Sequence, residues 1–225
     1  LLEVFEADWL RAGGVEPTAT GSHPGPGFPV SLVQEGDTLR VTPVFSPKGL
    51  LPDSTLWDLP RLVDLIDTAR KTVRVQLLTY KCTGRDSVYF GALENALRAA
   101  AARGVQVQLL LADWCKRRGT IEGLQSLQSV PNIDVRLVTI PEAATGFVPF
   151  PRVIHAKYLV VDARTFWLGT SNWERDYFFA SRNVGVIVEG ALAGRLDRFF
   201  TDNWASKYAY DVDACATYEP PRVGQ

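Results

Sequence analysis

The sequence predicts an α/β fold, a mixed, mainly parallel sheet flanked by helices on both faces. Three observations carry that expectation. Runs with the two-residue period and β-branched content of strands alternate along the chain with amphipathic stretches rich in alanine and leucine. Chains with this alternation bury their apolar faces by layering helices on a sheet. Of the 225 residues, 46% are hydrophobic, enough for a sizeable core. The apolar runs are also short, and none approaches the roughly 20 residues that cross a bilayer.

The elements follow in order. Leu1 to Arg11 reads as a helix with Leu1, Phe5 and Trp9 on one face. Gly13 to Pro29 is dense in Gly, Pro, Ser and Thr and reads as a loop. "TLRVTPVFSP" is a strand, Asp58 or Leu59 to Arg70 a helix, and "TVRVQLLTY" a strand. Ser87 to Arg103 is an alanine-rich helix, "VQVQLLLAD" a strand, Ile121 to Gln128 a short helix and "IDVRLVTI" a strand. A loop from Pro141 to Pro151 leads into "RVIHAKYLVVDARTFWLGTSNW", which reads as two strands and a polar turn. "NVGVIVEG" is a further strand and Ala191 to Ser206 a final helix.

Composition narrows the function. A net charge of −1 argues against a bulk polyelectrolyte binder, so any site for nucleic acid or anionic lipid is local. The opening "LLEVFEADWL" lacks the basic start and apolar core of a signal peptide. Cys82, Cys115 and Cys215 show no C-x-x-C spacing and form no metal set with the two histidines. Cys82 and Cys115 each follow a strand, so a disulfide between them is weighed against free thiols, and free thiols are expected. The chain contains no methionine, and Leu1 is expected not to be the natural beginning. "LLEVFEADW" also shares its frame with "LDRFFTDNW", setting Leu1, Phe5 and Trp9 against Leu196, Phe200 and Trp204. A repeat of that kind makes the first helix the tail of an earlier copy of one unit.

The chemistry concentrates at His155. On a strand, alternate residues share a face, so His155 and Lys157 point one way while Asp162 points the other. Asp162 is therefore expected to fix a turn by hydrogen bonds rather than to touch a ligand. Gly169 allows close approach of backbone to ligand, and Thr170, Ser171 and Asn172 offer hydroxyl and amide donors. An ammonium, an imidazole and neutral donors suit a phosphodiester: Lys157 offsets its charge, and Thr170 and Asn172 hold its oxygens. His155 can attack phosphorus or move a proton. No carboxylate cluster points to a metal, and neither metal nor cofactor is expected. A lone histidine is more often a half-buried structural one. The spacing overrides that reading here.

The stretch from His155 to Asn172 fits H-x-K-x4-D-x6-G-[ST]-x-N at every defined position, and it resembles the phospholipase D superfamily. Most of the chain shares the likeness. "FSPKGLLPDSTLWDLPRLVDLIDTARKTVRVQLLTY" looks like the start of the second half of two-motif members, and "GVQVQLLLADW" like the strand before their second motif. The layout is similar to phospholipase D-like proteins that include animal lysosomal 5′-exonucleases and their bacterial relatives. The resemblance implies residues 1–12 as the tail of a preceding half, 13–37 as a linker and 38–225 as a second half. It implies two histidines meeting at a pseudo-twofold axis, one forming a phosphohistidine and the other serving as acid and base. His155 takes the acid/base role by this likeness, with Lys157, Thr170 and Asn172 on the phosphate. Asp162 and Ser171 support the site. Asn183 stands where many members carry a glutamate that holds a motif histidine; Glu189 is expected to be an exposed strand-end carboxylate. The second motif must come from an N-terminal half or another chain, since His23 in "GSHPGPG" lacks the pattern. The resemblance favours a secreted, periplasmic or lumenal setting without choosing among them.

The leading expectation is phospholipase D-type hydrolysis or phosphatidyl transfer on phospholipids. The second is a 5′-exonuclease on single-stranded DNA or RNA, and the third an inactive scaffold or binding module. Tyr80, Trp114, Trp173, Tyr177, Phe178 and Phe179 can stack bases or line an acyl groove, though core packing accounts for most of them. Lys116, Arg117 and Arg118 can meet phosphates, though such a run is more often solvated surface.

Overall fold

The run "KYLVV" has no polar alternation after its lysine, and such a strand is stable only when both faces are covered. In the computed structural model, which describes residues 2–15, 27–34, 36–84 and 88–224, that requirement is met. The strand β6 (Lys157–Val161) is buried at every position. It lies between β3 (Thr72–Leu77) and β7 (Thr165–Gly169) inside a 9-stranded sheet. The other strands are β1 (Val30–Gln34), β2 (Asp37–Ser46), β4 (Gln106–Ala112), β5 (Ile133–Val138), β8 (Asn183–Glu189) and β9 (Ala209–Asp211). Across the sheet the order is β1-β2-β8-β7-β6-β3-β4-β5-β9.

The α/β class and the mixed sheet are as the sequence predicts, but the balance within the sheet is not mainly parallel. Among the described residues only the β3–β4 and β4–β5 pairings are parallel. Every other pairing is antiparallel. Parallel neighbours need a long crossover, which the segments leading from β3 to β5 supply. The β6–β7 connection is a tight turn with Arg164 N donating to Val161 O, and Asp162 and Ala163 both hold φ of 53°. A hairpin of that kind permits only antiparallel pairing.

Helices cover both faces. On one side α2 (Asp58–Thr68), α3 (Ala92–Ala102), α4 (Ile121–Gln128) and α5 (Arg175–Phe179) press apolar residues such as Leu62, Ile66, Leu97, Leu124 and Phe178 onto Val75, Leu109 and Leu159. Side chains buried to this degree contribute about 1.5–3 kcal/mol each. On the other side α6 (Leu192–Trp204) sets Ala193 and Phe200 against Tyr158, Val160 and Phe166. That interface is partly polar: Arg74 on β3 meets Asp197 on α6 at 2.6 Å, and the Tyr158 hydroxyl donates to Gln76.

The first helix, α1 (Leu2–Arg11), buries none of its residues. It is tied to the body by Arg182, which bonds Asp8 at 2.6 Å, and by Arg11, which donates to Leu50 O. Phe5 stacks on Trp9 with ring centroids 6.3 Å apart, much as Phe200 stacks on Trp204 at 5.6 Å. These are the pairs that the repeat aligns; its Leu1 lies outside the described residues.

Several boundaries differ from expectation. The strand β1 falls in the segment read as linker, and it forms because Val30 to Gln34 pairs along β2. Helix α3 begins at Ala92 rather than Ser87, which lies outside the described residues. The five-residue α5 and three-residue β9 are too short for a periodic signal. His155 precedes β6 instead of lying within it. The three cysteines are free.

Asp162 sits in the β6–β7 turn, and its carboxylate accepts the backbone N–H groups of Arg70, Lys71 and Thr72, just before β3. Burial works against its charge, but those donors outweigh it and hold the carboxyl below its ordinary value of 3.8. A carboxyl depressed in this way stabilises the fold at neutral pH, and the contribution fades as pH falls through its folded value. Asp162→Ala is expected to lower stability by about 1–3 kcal/mol at pH 7, with the gap from wild type closing toward pH 3 in urea titrations.

Candidate active site

The pairing register assembles the site. Lys157 stands opposite Gly169 across the β6–β7 ladder, so the first residue of β6 adjoins the turn Thr170–Asn172 that leaves β7. All of these lie at the edge of the sheet where the parallel strands β3 and β4 end, the usual location of ligands in open α/β sheets.

Lys157 is only 6% exposed. Its Nζ donates to His155 O at 2.7 Å and lies 3.1 Å from Nε2 and 3.2 Å from Nδ1 of the same histidine. Burial lowers the lysine to about 8. His155 is exposed, and partial burial together with the Lys157 charge holds its imidazole below the ordinary value. Burial works against both charges, but with the lysine at about 8 the pair at neutral pH is mainly a neutral imidazole beside a cation, the state that an anion entering between them can alter.

The turn is held from below. Asn172 is buried; its Oδ1 accepts Thr79 N at 3.2 Å and its Nδ2 donates to the Tyr177 hydroxyl at 3.0 Å. An amide nitrogen has two hydrogens, so one remains for an incoming oxygen. Thr170 is exposed, and its hydroxyl donates to Asn183 Oδ1 at 3.0 Å. Asn183 spends its Nδ2 on Tyr177 O and on Ser181. Its side-chain bonds therefore steady Thr170 and residues 177–181 rather than the His155 ring. Glu189, at the far end of β8, pairs with Arg40 at 3.3 Å.

Gly169 has a different purpose from the ligand approach read in the sequence. The fully buried indole of Trp167 lies across it, and a Cβ on Gly169 would meet Trp167 Cζ2 at 2.5 Å. Gly185, directly opposite on β8, faces the same ring, and a Cβ added there would clash with Trp167 Nε1. The glycine leaves room for a core side chain.

Asp58 is the residue that sequence reading left unused. It opens α2 and is 2% exposed; its Oδ2 accepts the Ser171 hydroxyl at 3.3 Å, while Oδ1 has no partner among the described residues. Burial pushes its carboxyl up to about 7 against the pull of the Ser171 hydroxyl and of the Leu59 and Asp58 backbone N–H groups. An acidic residue at a helix start is ordinary in sequence, so only the fold reveals that this one lies beneath the motif turn.

Of the aromatic residues considered, Tyr80, Trp173 and Phe178 belong to the core. Phe179 rests edge-on against Trp57 and Tyr177 holds Asn172. Trp114 meets Phe150. His23 lies outside the described residues. Among the described residues no group of three or more His, Cys, Asp or Glu is placed to hold a metal ion, and no helix is long and apolar enough to cross a membrane.

The family model described as cardiolipin synthase, PLD-like domain, matches residues 62–204, which take in the latter part of α2, the whole motif and α6. The chain belongs to the phospholipase D-like family. Mouse 5′-3′ exonuclease PLD4 is 35% identical over 189 residues, covering 75% of this chain and 37% of that protein. Phospholipase D Z of Dictyostelium discoideum is 34% identical over 174 residues, covering 74% of this chain and 41% of that protein. The chain thus spans less than half the length of these relatives. Among solved structures, NucT from Helicobacter pylori aligns with TM-score 0.61 and 19% identity over 77% of this chain and 99% of its own. Nuc from Salmonella typhimurium aligns with TM-score 0.59 and 20% identity, covering 77% and 97%. These two likenesses show that the phospholipase D-like chain shares the fold of NucT and Nuc.

Two outcomes follow from the titrating groups. Binding of a monoanionic phosphodiester should weaken as pH rises through about 8, where Lys157 loses its proton. Lys157→Arg should remove that dependence in calorimetric titrations. Because the Asp58 carboxyl is raised in the folded state, the stability linked to its protonation is present at acid pH and lost as pH rises through about 7. Asp58→Asn is expected to raise the melting temperature relative to wild type at pH 8, and to do so far less at pH 4, close to the unfolded value of 3.8. An equal shift at both would contradict the buried carboxyl raised in the folded state.

Proposed function

We propose that the chain supplies half of a metal-independent phosphodiesterase site that cleaves single-stranded nucleic acid through a phosphohistidine. The observation that carries the reading is the contact of Lys157 Nζ with His155 beside the Thr170–Asn172 turn. Lys157 receives the phosphate charge and the free Asn172 N–H holds one of its oxygens, joined by the Thr170 hydroxyl once its hydrogen turns from Asn183 to the phosphate. As the anion offsets Lys157, the restraint on His155 relaxes and the imidazole takes up a proton. The partner histidine, from an N-terminal half or a second chain, attacks phosphorus; a P–N bond forms as the P–O bond to the leaving group breaks. His155 gives its proton to the leaving oxygen, then removes one from water, whose oxygen displaces the partner imidazole and restores it.

Nucleic acid is favoured by the exposed Arg117 and Arg118, just beyond the end of β4, and Arg152, three residues before His155, and by the 5′-3′ exonuclease relatives. Phospholipid is the second reading, supported by the relative named phospholipase D Z. In the intact protein, His155→Ala and Lys157→Ala are each expected to reduce cleavage of a single-stranded oligonucleotide by at least about 100-fold in metal-free buffer. Wild-type cleavage should fall steeply with salt, without head-group release from phosphatidylcholine vesicles. Full activity of either variant defeats the site, and head-group release without oligonucleotide cleavage defeats the substrate.

A further inference from the structure

Five residues before His155 the chain exposes Phe150, with 64% of its surface accessible. Its position is constrained on several sides. The Phe150 N–H donates to Val223 O at 2.8 Å, and the Arg222 guanidinium lies 4.0 Å from the Phe147 ring centroid. The C-terminal tail thus braces the loop that leads to His155. Phe150 and Arg152 hold φ of 68° and 59°, a conformation that residues with side chains seldom adopt. Backbone held there by its surroundings is found more often where a side chain must be presented than where it is only to be packed.

Strand pairing locates the ring. Gln76 on β3 pairs with Tyr158, and Leu77 pairs with Leu111 on β4, so Lys157 and Leu111 are level on either side of β3. That separation is about 10 Å, two strand spacings. Trp114 follows the end of β4 at this edge and meets Phe150 at 6.5 Å with the rings inclined by 72°. The two rings therefore do not cover each other face to face. Exposed Arg117 and Arg118 follow Trp114 in the chain, and exposed Arg152, whose Nε donates to Pro141 O, follows Phe150.

From this arrangement we infer that Phe150, steadied by Trp114, is a stacking platform for a base next to the scissile phosphodiester, and so a specificity-determining residue of the nucleic-acid site. The inference rests on the nucleic-acid reading above. A flat ring open on one side, among guanidinium groups that take neighbouring phosphates, fits a base of a single strand. An acyl chain is held instead by a cleft that surrounds it.

The test compares binding of a short fluorescent oligothymidine with the same strand carrying one abasic residue, walked through each position, using the full chain with wild type, Phe150→Ala, Phe150→Leu and Phe150→Tyr. At one position the wild type is expected to prefer the base by about 5-fold or more. Phe150→Ala and Phe150→Leu should bring that ratio close to one, and Phe150→Tyr should retain it, with unchanged melting temperatures throughout. A preference that survives Phe150→Ala and Phe150→Leu overturns the platform and leaves the nucleic-acid reading intact. Failure of wild type to bind any oligonucleotide overturns both. Phe150-dependent binding to phosphatidylcholine vesicles, with no base preference, assigns the ring to lipid and overturns the inference.

Discussion

The site depends on three hydrogen bonds at the opposite end of its strand. Asp162 accepts from the backbone of Arg70, Lys71 and Thr72, which locks the β6–β7 turn to the start of β3. With that end fixed, Val161 pairs with Val73 and the ladder runs in register to Gln76 and Tyr158. Lys157 then emerges where β3 ends. A slip of one residue would turn Lys157 to the α6 face, away from the Thr170–Asn172 turn. The aspartate of the motif acts at a distance of about five residues of extended chain, roughly 16 Å, by setting alignment rather than by touching phosphate.

Around that register the polar groups form two tiers. Lys157, His155 and Thr170 make the upper tier, open to a ligand. Beneath them Asp58, Thr79, Tyr177 and Asn183 hold Ser171, Asn172 and Thr170 by hydrogen bonds. The lower tier is drawn from α2, the end of β3, α5 and β8, so the geometry of three motif residues reports the packing of four separate segments. Buried polar groups of this kind act as a unit, since each one that loses its partner leaves another unsatisfied.

Much of this was legible in the chain because strands and helices leave different periods. The segments 72–77, 106–112 and 121–128 appear where alternation and helical spacing put them. The His-x-Lys spacing and the turn after Gly169 mark the upper tier outright. What the sequence hides is whatever depends on partners distant along the chain. β1 has no strong pattern and exists because β2 offers an edge; the antiparallel balance comes from connections whose direction periodicity does not encode. Asp58 looks like any acidic residue opening a helix until Ser171 is seen above it. Asn183, read as a histidine holder, bonds Thr170 because β8 lies beside β7, a neighbour relation that strand patterning alone does not supply.

The indole of Trp167 spread over Gly169 and Gly185 gives a different account of why the motif carries a glycine. The three positions share one volume, so their substitutions are not independent. A larger residue at 169 or 185 becomes tolerable only after the tryptophan is reduced, and reducing the tryptophan first opens a void that either glycine can then fill. The order of mutational steps matters, and a path through this part of the motif is narrow for reasons of space rather than catalysis. Descendants of this chain would be expected to change these residues together or not at all.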